Sequence, residues 1–212
     1  MEALQKQGFV LHSQGVTVSA AAWEDINEQA KRCAPIFNHN NKHKNDFKRR
    51  QWRLQTRRHP ATQALIHELR TKVLPLYTKL GTVHTMKDTV ILESLPGCQQ
   101  QAFHTDYSLA DLATVPQVDD MPLGVIIALE DNTKLMVQGL APLNKNLALR
   151  TRKKMGFAVN ARKGDVLIFR GDLIHAGAAY TQRNVRLHCY IDSQWVTRQT
   201  NATYPTSRSW QS

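Results

Sequence analysis

Three residues of this sequence have the types and the order of a metal site: His104, Asp106 and His175. His104 and Asp106 are separated by one residue, so in an extended strand their side chains point to the same side and can bind one ion. Two imidazoles and one carboxylate can occupy one face of an octahedral Fe(II) ion and leave the opposite face open for reactants. A structural zinc site would usually recruit thiolates, and no two of the three cysteines lie at zinc-ligand spacing. The pattern therefore favours an iron site.

Strand-like segments surround these residues. A His-x-Asp tripeptide alone arises readily by chance, so its context carries the interpretation. Gly164 and Asp165 open a turn, residues 166–169 read as a buried strand, and residues 173–175 enter another strand that contains the third ligand. Further strands are predicted at residues 87–95, 123–129, 134–137 and 157–160. The candidate ligands are therefore expected on a β framework.

Apolar and polar residues alternate strictly from Val185 to Ile191, which predicts a half-buried strand. The apolar face carries Val185, Leu187, Cys189 and Ile191, and the other face carries Arg186, His188 and Tyr190. Two interpretations of the polar face are open. It could face water, as in most half-buried strands, or it could face a barrel interior with Arg186 beside the metal. In the second case the guanidinium would bind a carboxylate through two parallel hydrogen bonds.

Taken together, these residues resemble the iron(II)- and 2-oxoglutarate-dependent dioxygenase superfamily. The resemblance is carried by His104-x-Asp106, His175 and Arg186, with the approach Gly164-Asp165-x-x-x-Phe169 and the exit Asn184-x-Arg186-x-His188. It covers about half of the chain, residues 86–195.

The resemblance implies a mainly β fold, a double-stranded β-helix (a cupin-like jelly roll) with helices before it. It implies Fe(II) held by His104, Asp106 and His175, with 2-oxoglutarate and O2 as cosubstrates. Arg186 would bind the far carboxylate of 2-oxoglutarate. Many members of the superfamily carry a hydroxyl residue two positions later, where this chain has His188, which leaves the second cosubstrate contact open. The implied reaction couples decarboxylation of 2-oxoglutarate to hydroxylation or demethylation of a substrate.

A strongly basic segment, residues 42–58, contains eight Lys or Arg in 17 residues, and the whole chain has a formal net charge of +11. Such a segment favours a polyanion partner such as DNA or RNA. The candidate substrate-binding residues are Lys48, Arg49, Arg50, Trp52 and Arg53, with the indole placed to stack on a base. A second basic group lies at Arg150 and residues 152–154. A solvated loop and a targeting signal are alternative interpretations of the same segment.

The N-terminal part of the chain predicts helices that support this core. One helix is expected within residues 16–32, with Ser19 as its N-cap, and a second within residues 61–80, divided or kinked at Pro75. We therefore expect a single domain over residues 1–212. It would comprise helical support at 1–82, including the basic segment, a jelly-roll core at 83–196 and a tail at 197–212.

Several residues near the ligands have two possible roles. Tyr107 could guard the entrance to the metal, and the segment 111–120 could form a loop over it, or both could belong to an ordinary surface connection. The amides of Gln99 and Gln101 could line the cavity or lie at the surface. The chain after Trp195, rich in Ser, Thr and Gln, is expected to be loosely held.

Composition points to a soluble, intracellular protein, cytoplasmic or nuclear. The three cysteines are an odd number at wide spacing, which indicates a reducing compartment rather than a disulfide framework. The N-terminus lacks the pattern of a signal peptide, and no apolar run reaches the length of a membrane span. The sequence does not predict an oligomeric state.

Three functions are compatible with these features. The first, favoured by the basic charge, is an oxygenase that hydroxylates a base methyl or removes an N-methyl group from nucleic acid, with the base extruded or single-stranded. The second is a 2-oxoglutarate-dependent hydroxylase of a protein side chain or a small molecule. The third is a jelly-roll binding module without activity, which the intact His-Asp-His set and Arg186 disfavour.

Overall fold

Two antiparallel sheets make up the protein, which is described by a computed structural model over residues 2–36, 48–141, 156–199 and 202–205. Over these ranges the strands are Phe9–His12 (β1), Ala34–Pro35 (β2), Arg49–Arg53 (β3), His84–Ser94 (β4), His104–Thr105 (β5), Leu123–Ala128 (β6), Thr133–Leu140 (β7), Phe157–Ala161 (β8), Val166–Arg170 (β9), Leu173–Gly177 (β10), Asn184–Ser193 (β11) and Tyr204–Pro205 (β12). The larger sheet has the order β1-β9-β6-β11-β4-β3-β2, and the smaller sheet has the order β12-β5-β10-β7-β8.

The two sheets pack against each other through an apolar cluster that draws on both. It includes Ile126 and Phe169 from the larger sheet and Leu135, Val137 and Leu173 from the smaller one. Neighbouring strands come from distant parts of the chain, since β11 lies between β4 and β6. The predicted mainly β jelly roll, a double-stranded β-helix, is confirmed.

Helices cover the other face of the larger sheet. The helices on this face are Glu2–Gln7 (α1), Ala20–Ala30 (α2) and Pro60–Glu68 (α3), whereas Leu109–Leu112 (α4) packs with Tyr107 and Met121. Ser19 caps α2 as predicted, because its hydroxyl accepts a hydrogen bond from the Ala22 N–H at 3.1 Å. Ile26 and Leu65 pack here with Leu187 and Ile191 of β11. The apolar face of β11 is therefore buried under the helices.

The second predicted helix, residues 61–80, is interrupted. Beyond α3 the chain forms a π turn at Leu69–Val73 and a 3-10 turn at Leu74–Leu76, which contains Pro75. The α-helical geometry ends at Glu68, within the two turns before Pro75, whose ring and missing N–H are incompatible with a continuous α-helix. No described helix has the length and apolar character needed to cross a membrane.

Part of the basic segment is a strand of the larger sheet, which the sequence did not predict. Arg49–Arg53 pairs with β4, with Arg49 opposite Ser94 and Arg53 opposite Val90. Together with β1, which pairs with β9, it shows that the first 82 residues add strands as well as helices. Residues 42–47 of the basic segment and the second basic group, at 150 and 152–154, lie outside the described ranges.

Candidate metal centre

A cavity of about 80 Å³ lies between the two sheets. Its polar lining is formed mainly by side chains from β5, β10, β11 and the C-terminal segment. They are His104, Asp106, His175, Arg186, His188, Tyr190 and Arg198. Asp106 is the one carboxylate among the described lining residues. The cavity therefore combines imidazoles, one carboxylate and two guanidinium groups.

His104, Asp106 and His175 converge at one end of this lining. β5 and β10 are antiparallel neighbours with His104 and His175 directly paired, which brings residues 71 positions apart into contact. The potential ligand atoms of the three residues all lie within 4.8 Å of one another, and all three side chains are buried. Nε2 of His104 lies 3.9 Å from Oδ1 of Asp106, and Nε2 of His175 lies 3.7 Å from Oδ2. The structure thus brings the three predicted ligands together.

Backbone carbonyl groups orient both imidazoles. Nδ1 of His104 lies 2.8 Å from the carbonyl oxygen of Ala102, and Nδ1 of His175 lies 2.9 Å from that of Leu173. A carbonyl oxygen only accepts, so each Nδ1 must carry the hydrogen, and each Nε2 is left with its lone pair toward Asp106. This arrangement is how proteins fix the tautomer of metal-binding histidines.

Asp106 is held as an anion although it is buried. Burial raises the pKa of its carboxyl, but the positive charges that His175, His188 and His104 carry when protonated, together with that of Arg198, outweigh this cause and leave the pKa below its ordinary value. Its Oδ2 atom has no hydrogen-bond partner among the described residues. A buried carboxylate without a partner is costly unless a cation or donor satisfies it. Two imidazole nitrogens and this carboxylate fit a divalent cation such as Fe(II).

Arg186 lies in the same cavity and is buried, with 5% of its surface exposed. Its Nη1 lies 3.1 Å from Oγ of Ser94 and 3.3 Å from Oδ1 of Asn184, and the guanidinium carbon lies 5.5 Å from the centre of the Tyr180 ring. These contacts are all to neutral groups. Within the described ranges the guanidinium forms no ion pair, so its charge is available for an anionic ligand.

The polar face of β11 points into this cavity. Arg186, His188 and Tyr190 all line it, which makes the interpretation of a solvent-facing strand wrong. Burial lowers the pKa of His188 to about 3, so its imidazole is neutral at physiological pH. Its Nε2 atom lies 3.7 Å from Oδ2 of Asp106 and also lacks a hydrogen-bond partner among the described residues. A neutral donor or acceptor is therefore available beside the carboxylate.

Tyr107 does not guard the entrance, so that prediction is wrong. Its side chain is 1% exposed and packs with Leu112, Met121 and Val196 away from the cavity lining. Its hydroxyl donates to Oδ1 of Asp192 at 3.1 Å. The segment 111–120 likewise contributes no residue to the cavity lining. A phenol with both an apolar pocket and a hydroxyl partner is a core residue here.

Arg49 is not a surface phosphate contact, because it is 2% exposed. Its Nη2 donates to the carbonyl oxygens of Gln99 at 2.6 Å, Ala178 at 2.7 Å and Gly177 at 3.2 Å. These hydrogen bonds join the chain before His104 to the end of β10. The prediction that this residue binds nucleic acid is therefore wrong.

The other predicted nucleic-acid contacts also have internal partners. Arg53 lies 2.8 Å from Asp88, Arg50 lies 3.9 Å from Glu93, and Lys48 donates to the carbonyl of Pro96 at 3.1 Å. Trp52 is half-buried and packs against the helix-covered core. The indole is therefore held against the core, and Arg50 and Arg53 lie on β3, with Lys48 directly before it.

The sequence missed the C-terminal wall of the cavity. Arg198, Ala202 and Thr203 line it, and β12 pairs with β5, with Tyr204 opposite Thr105. The expectation of a loosely held tail is wrong for these described residues. A two-residue strand has too few positions to show an alternating pattern, so only its long-range pairing identifies it.

The two glutamines before His104 differ in position. Gln101 lines the cavity, and its amide oxygen accepts a hydrogen bond from the Gly177 N–H at 3.0 Å. Gln99 is exposed and its side chain contacts only the carbonyl of Gly97, at 3.4 Å. The first therefore belongs to the wall of the site and the second to the surface.

Comparisons with known proteins place this architecture. No protein-family model and no curated protein matches the chain. Among solved structures, the fold is similar to SnoK, a non-heme alpha ketoglutarate dependent carbocyclase from nogalamycin biosynthesis, with a TM-score of 0.65, 17% identity and coverage of 95% of this chain and 87% of that one. HygX from Streptomyces hygroscopicus, with nickel and 2-oxoglutarate bound, has a TM-score of 0.61, 13% identity and coverage of 93% and 87%. AviO1 from Streptomyces viridochromogenes Tue57 has a TM-score of 0.62, 15% identity and coverage of 93% and 96%. At these identities the likeness establishes the fold.

Proposed function

We propose that this chain is an Fe(II)- and 2-oxoglutarate-dependent oxygenase that acts on a small molecule. One observation carries the proposal: a buried His-Asp-His set with mutually close ligand atoms shares a cavity with a guanidinium that has no anionic partner among the described residues. The likeness to SnoK and to HygX with nickel and 2-oxoglutarate bound supports the same chemistry.

The three converging residues would hold the metal through Nε2 of His104, Nε2 of His175 and the Asp106 carboxylate. Fe(II) accepts this mixture of nitrogen and oxygen ligands and keeps open positions on its other face. The anionic state of Asp106 and the unpartnered Oδ2 atom both favour a bound cation. When bound, Fe(II) and 2-oxoglutarate supply the activation of O2, which couples release of CO2 and succinate to oxidation of a substrate C–H bond.

The protein's own residues would position the cosubstrate and exclude water. Arg186 would bind the far carboxylate of 2-oxoglutarate through charge-assisted hydrogen bonds. His188 stands where a hydroxyl residue is common in the superfamily, and its neutral ring can donate a hydrogen bond to an acceptor oxygen in the cavity. Apolar lining from Leu92, Ile126 and Phe169 would keep bulk water out.

A small-molecule substrate fits the structure better than a nucleic acid. The cavity of about 80 Å³ is bounded by the C-terminal segment, and Arg49, Arg50, Trp52 and Arg53 are held in the sheet. Salt-dependent retention on a polyanion column, lost in a Lys48→Ser/Arg50→Ser/Arg53→Ser variant, would instead favour nucleic acid, because phosphate contacts release counterions.

The proposal is tested by formation of succinate from 2-oxoglutarate without an added substrate. Purified protein is incubated with Fe(II), O2 and 2-oxoglutarate, beside Asp106→Ala and the matched control Asp111→Ala, whose side chain is exposed and away from the cavity. We expect turnover in the wild type and in Asp111→Ala, and a loss of at least 100-fold in Asp106→Ala. Equal succinate formation in all three proteins, or in none, would reject the assignment.

A further inference from the structure

Arg198 is a second guanidinium in the cavity and has no assigned role. It belongs to the chain after β11 and lies over the ring of Tyr190, with its guanidinium carbon 3.5 Å from the ring centre. Its Nε atom is buried without a hydrogen-bond partner, and the side chain forms no ion pair among the described residues. We infer that Arg198 recognises the substrate of this site by binding an anionic group, a carboxylate or a phosphate. The inference rests on the proposed function and specifies its substrate class.

The other arginines near the site show what a satisfied guanidinium looks like in this fold. Arg170 pairs with Asp172 at 2.6 Å, and Arg183 pairs with Glu93 at 2.7 Å. Arg198 instead lies over an aromatic ring, and its charge acts on Asp106 and Asp192 without an ion-pair contact among the described residues. Stacking fixes the plane of a guanidinium and leaves its N–H edge free for a planar or tetrahedral oxyanion.

The charges of the filled site point to the same conclusion. The double positive charge of Fe(II) is balanced by the two carboxylates of 2-oxoglutarate, and the single charge of Asp106 offsets only one of the two guanidinium charges of Arg186 and Arg198. One positive charge then remains in the described lining, since that lining contains no second carboxylate. A partly buried cation without a partner is unfavourable, so an anionic substrate would complete the balance.

The backbone around Arg198 is held by a hydrogen bond to Asp192 and, farther along the chain, by a strand pairing. Its own N–H group donates a hydrogen bond to the Asp192 carboxylate, and Tyr107 donates to the same carboxylate at 3.1 Å. Farther along the chain, β12 pairs with β5, which carries His104. The segment that bears Arg198 is therefore joined to the strand that bears a metal ligand. A fixed guanidinium loses little freedom on binding, which favours specific recognition.

The test uses protein loaded with Fe(II) and saturating 2-oxoglutarate under anaerobic conditions, so that Arg186 is occupied. Binding of propionate, methyl phosphate and the neutral analogue propionamide is measured by calorimetry. We expect at least one anion to bind tenfold or more tightly than propionamide, and Arg198→Gln to lose this preference. Arg198→Lys should retain part of it, and the exposed control Arg53→Gln should retain all of it. Whether propionate or methyl phosphate binds more tightly identifies the anionic group.

Two results would overturn the inference. One is equal binding of the anions and propionamide by wild-type protein that holds 2-oxoglutarate; the other is an unchanged preference in Arg198→Gln. Circular dichroism and 2-oxoglutarate binding of Arg198→Gln establish that the variant is folded. Failure of the wild type itself to bind 2-oxoglutarate in the presence of metal would reject the proposed function, and the substrate inference with it.

Discussion

Nε2 of His188 lies 3.7 Å from Oδ2 of Asp106, and neither atom has a hydrogen-bond partner among the described residues. The same oxygen lies 3.7 Å from Nε2 of His175. His188 is therefore as close to the carboxylate as a proposed metal ligand is. Its ring is neutral, because burial lowers its pKa to about 3. We propose that it donates a hydrogen bond to the cosubstrate.

His188→Ala should weaken 2-oxoglutarate binding about 3- to 10-fold, the cost of losing one hydrogen bond to an uncharged donor. His188→Gln, which keeps an N–H donor, should lose less. Calorimetry with Ni(II)-loaded protein measures both affinities. If Ni(II) binding falls in His188→Ala as far as in Asp106→Ala, His188 is a metal ligand and this interpretation is wrong.

Arg186→Gln should raise the apparent KM for 2-oxoglutarate about 10- to 100-fold, because a charge-assisted pair to the far carboxylate is lost. Metal affinity should remain that of the wild type, since Arg186 is no ligand. Initial rates of succinate formation at varied 2-oxoglutarate measure the effect. Arg53→Gln removes an exposed guanidinium as the control, and an equal KM in both variants would contradict the role of Arg186.

Arg49→Met should lower the free energy of unfolding by about 3–5 kcal/mol, because it leaves buried carbonyl groups of Gln99, Gly177 and Ala178 without their charged donor. Arg53→Gln, which breaks an exposed ion pair with Asp88, should cost about 0–1 kcal/mol. Denaturant titrations of the three proteins provide the comparison. Equal stability of Arg49→Met and the wild type would show that the guanidinium does not join β10 to the chain before His104.

Stability should decrease as the pH falls from 7 to 5, partly because of His84 on β4. Burial lowers the pKa of its imidazole. In the folded protein Nδ1 accepts a hydrogen bond from the Lys79 N–H at 3.1 Å, and Nε2 lies 2.9 Å from the Met121 carbonyl oxygen. The unfolded chain therefore binds this proton first as the pH drops below about 6.5. His84→Asn should flatten the dependence by up to about 1.4 kcal/mol per pH unit, the contribution of one proton.

Denaturant titrations of metal-free wild type and His84→Asn at several pH values measure this difference. The asparagine side chain of the variant keeps an oxygen that can accept the hydrogen bond from the Lys79 N–H. The smaller side chain should lower the free energy of unfolding by the same amount at every pH, so it should not change the pH dependence. Parallel curves for the two proteins would show that His84 does not contribute to the pH dependence.

The His104-x-Asp106 pair and the strand from Val185 to Ile191 could be predicted because local patterns define them. His104-x-Asp106 has strand spacing, and the alternation from Val185 to Ile191 separates a helix-covered face from a cavity face. Both features depend on residues adjacent in the chain. The same applies to Ser19, whose capping role depends on a contact three residues away.

Long-range partners explain what could not be predicted. The charge of Arg49 indicated an exposed residue, but its partners at Gly177 and Ala178 lie more than 100 positions away. Arg198 reaches the cavity because β12 pairs with β5, a contact between short segments with no periodic pattern. Neither signal is present in the local sequence.

The most direct test of the central claim is the stoichiometry of metal binding under anaerobic conditions, with Ni(II) as a stable substitute for Fe(II). We predict one Ni(II) per chain for the wild type and for the control Asp111→Ala. His104→Ala, Asp106→Ala and His175→Ala should each lose this binding or weaken it at least 100-fold, since each removes one of three ligands. Wild-type stoichiometry and affinity in all three variants would contradict the claim that these side chains hold one metal ion.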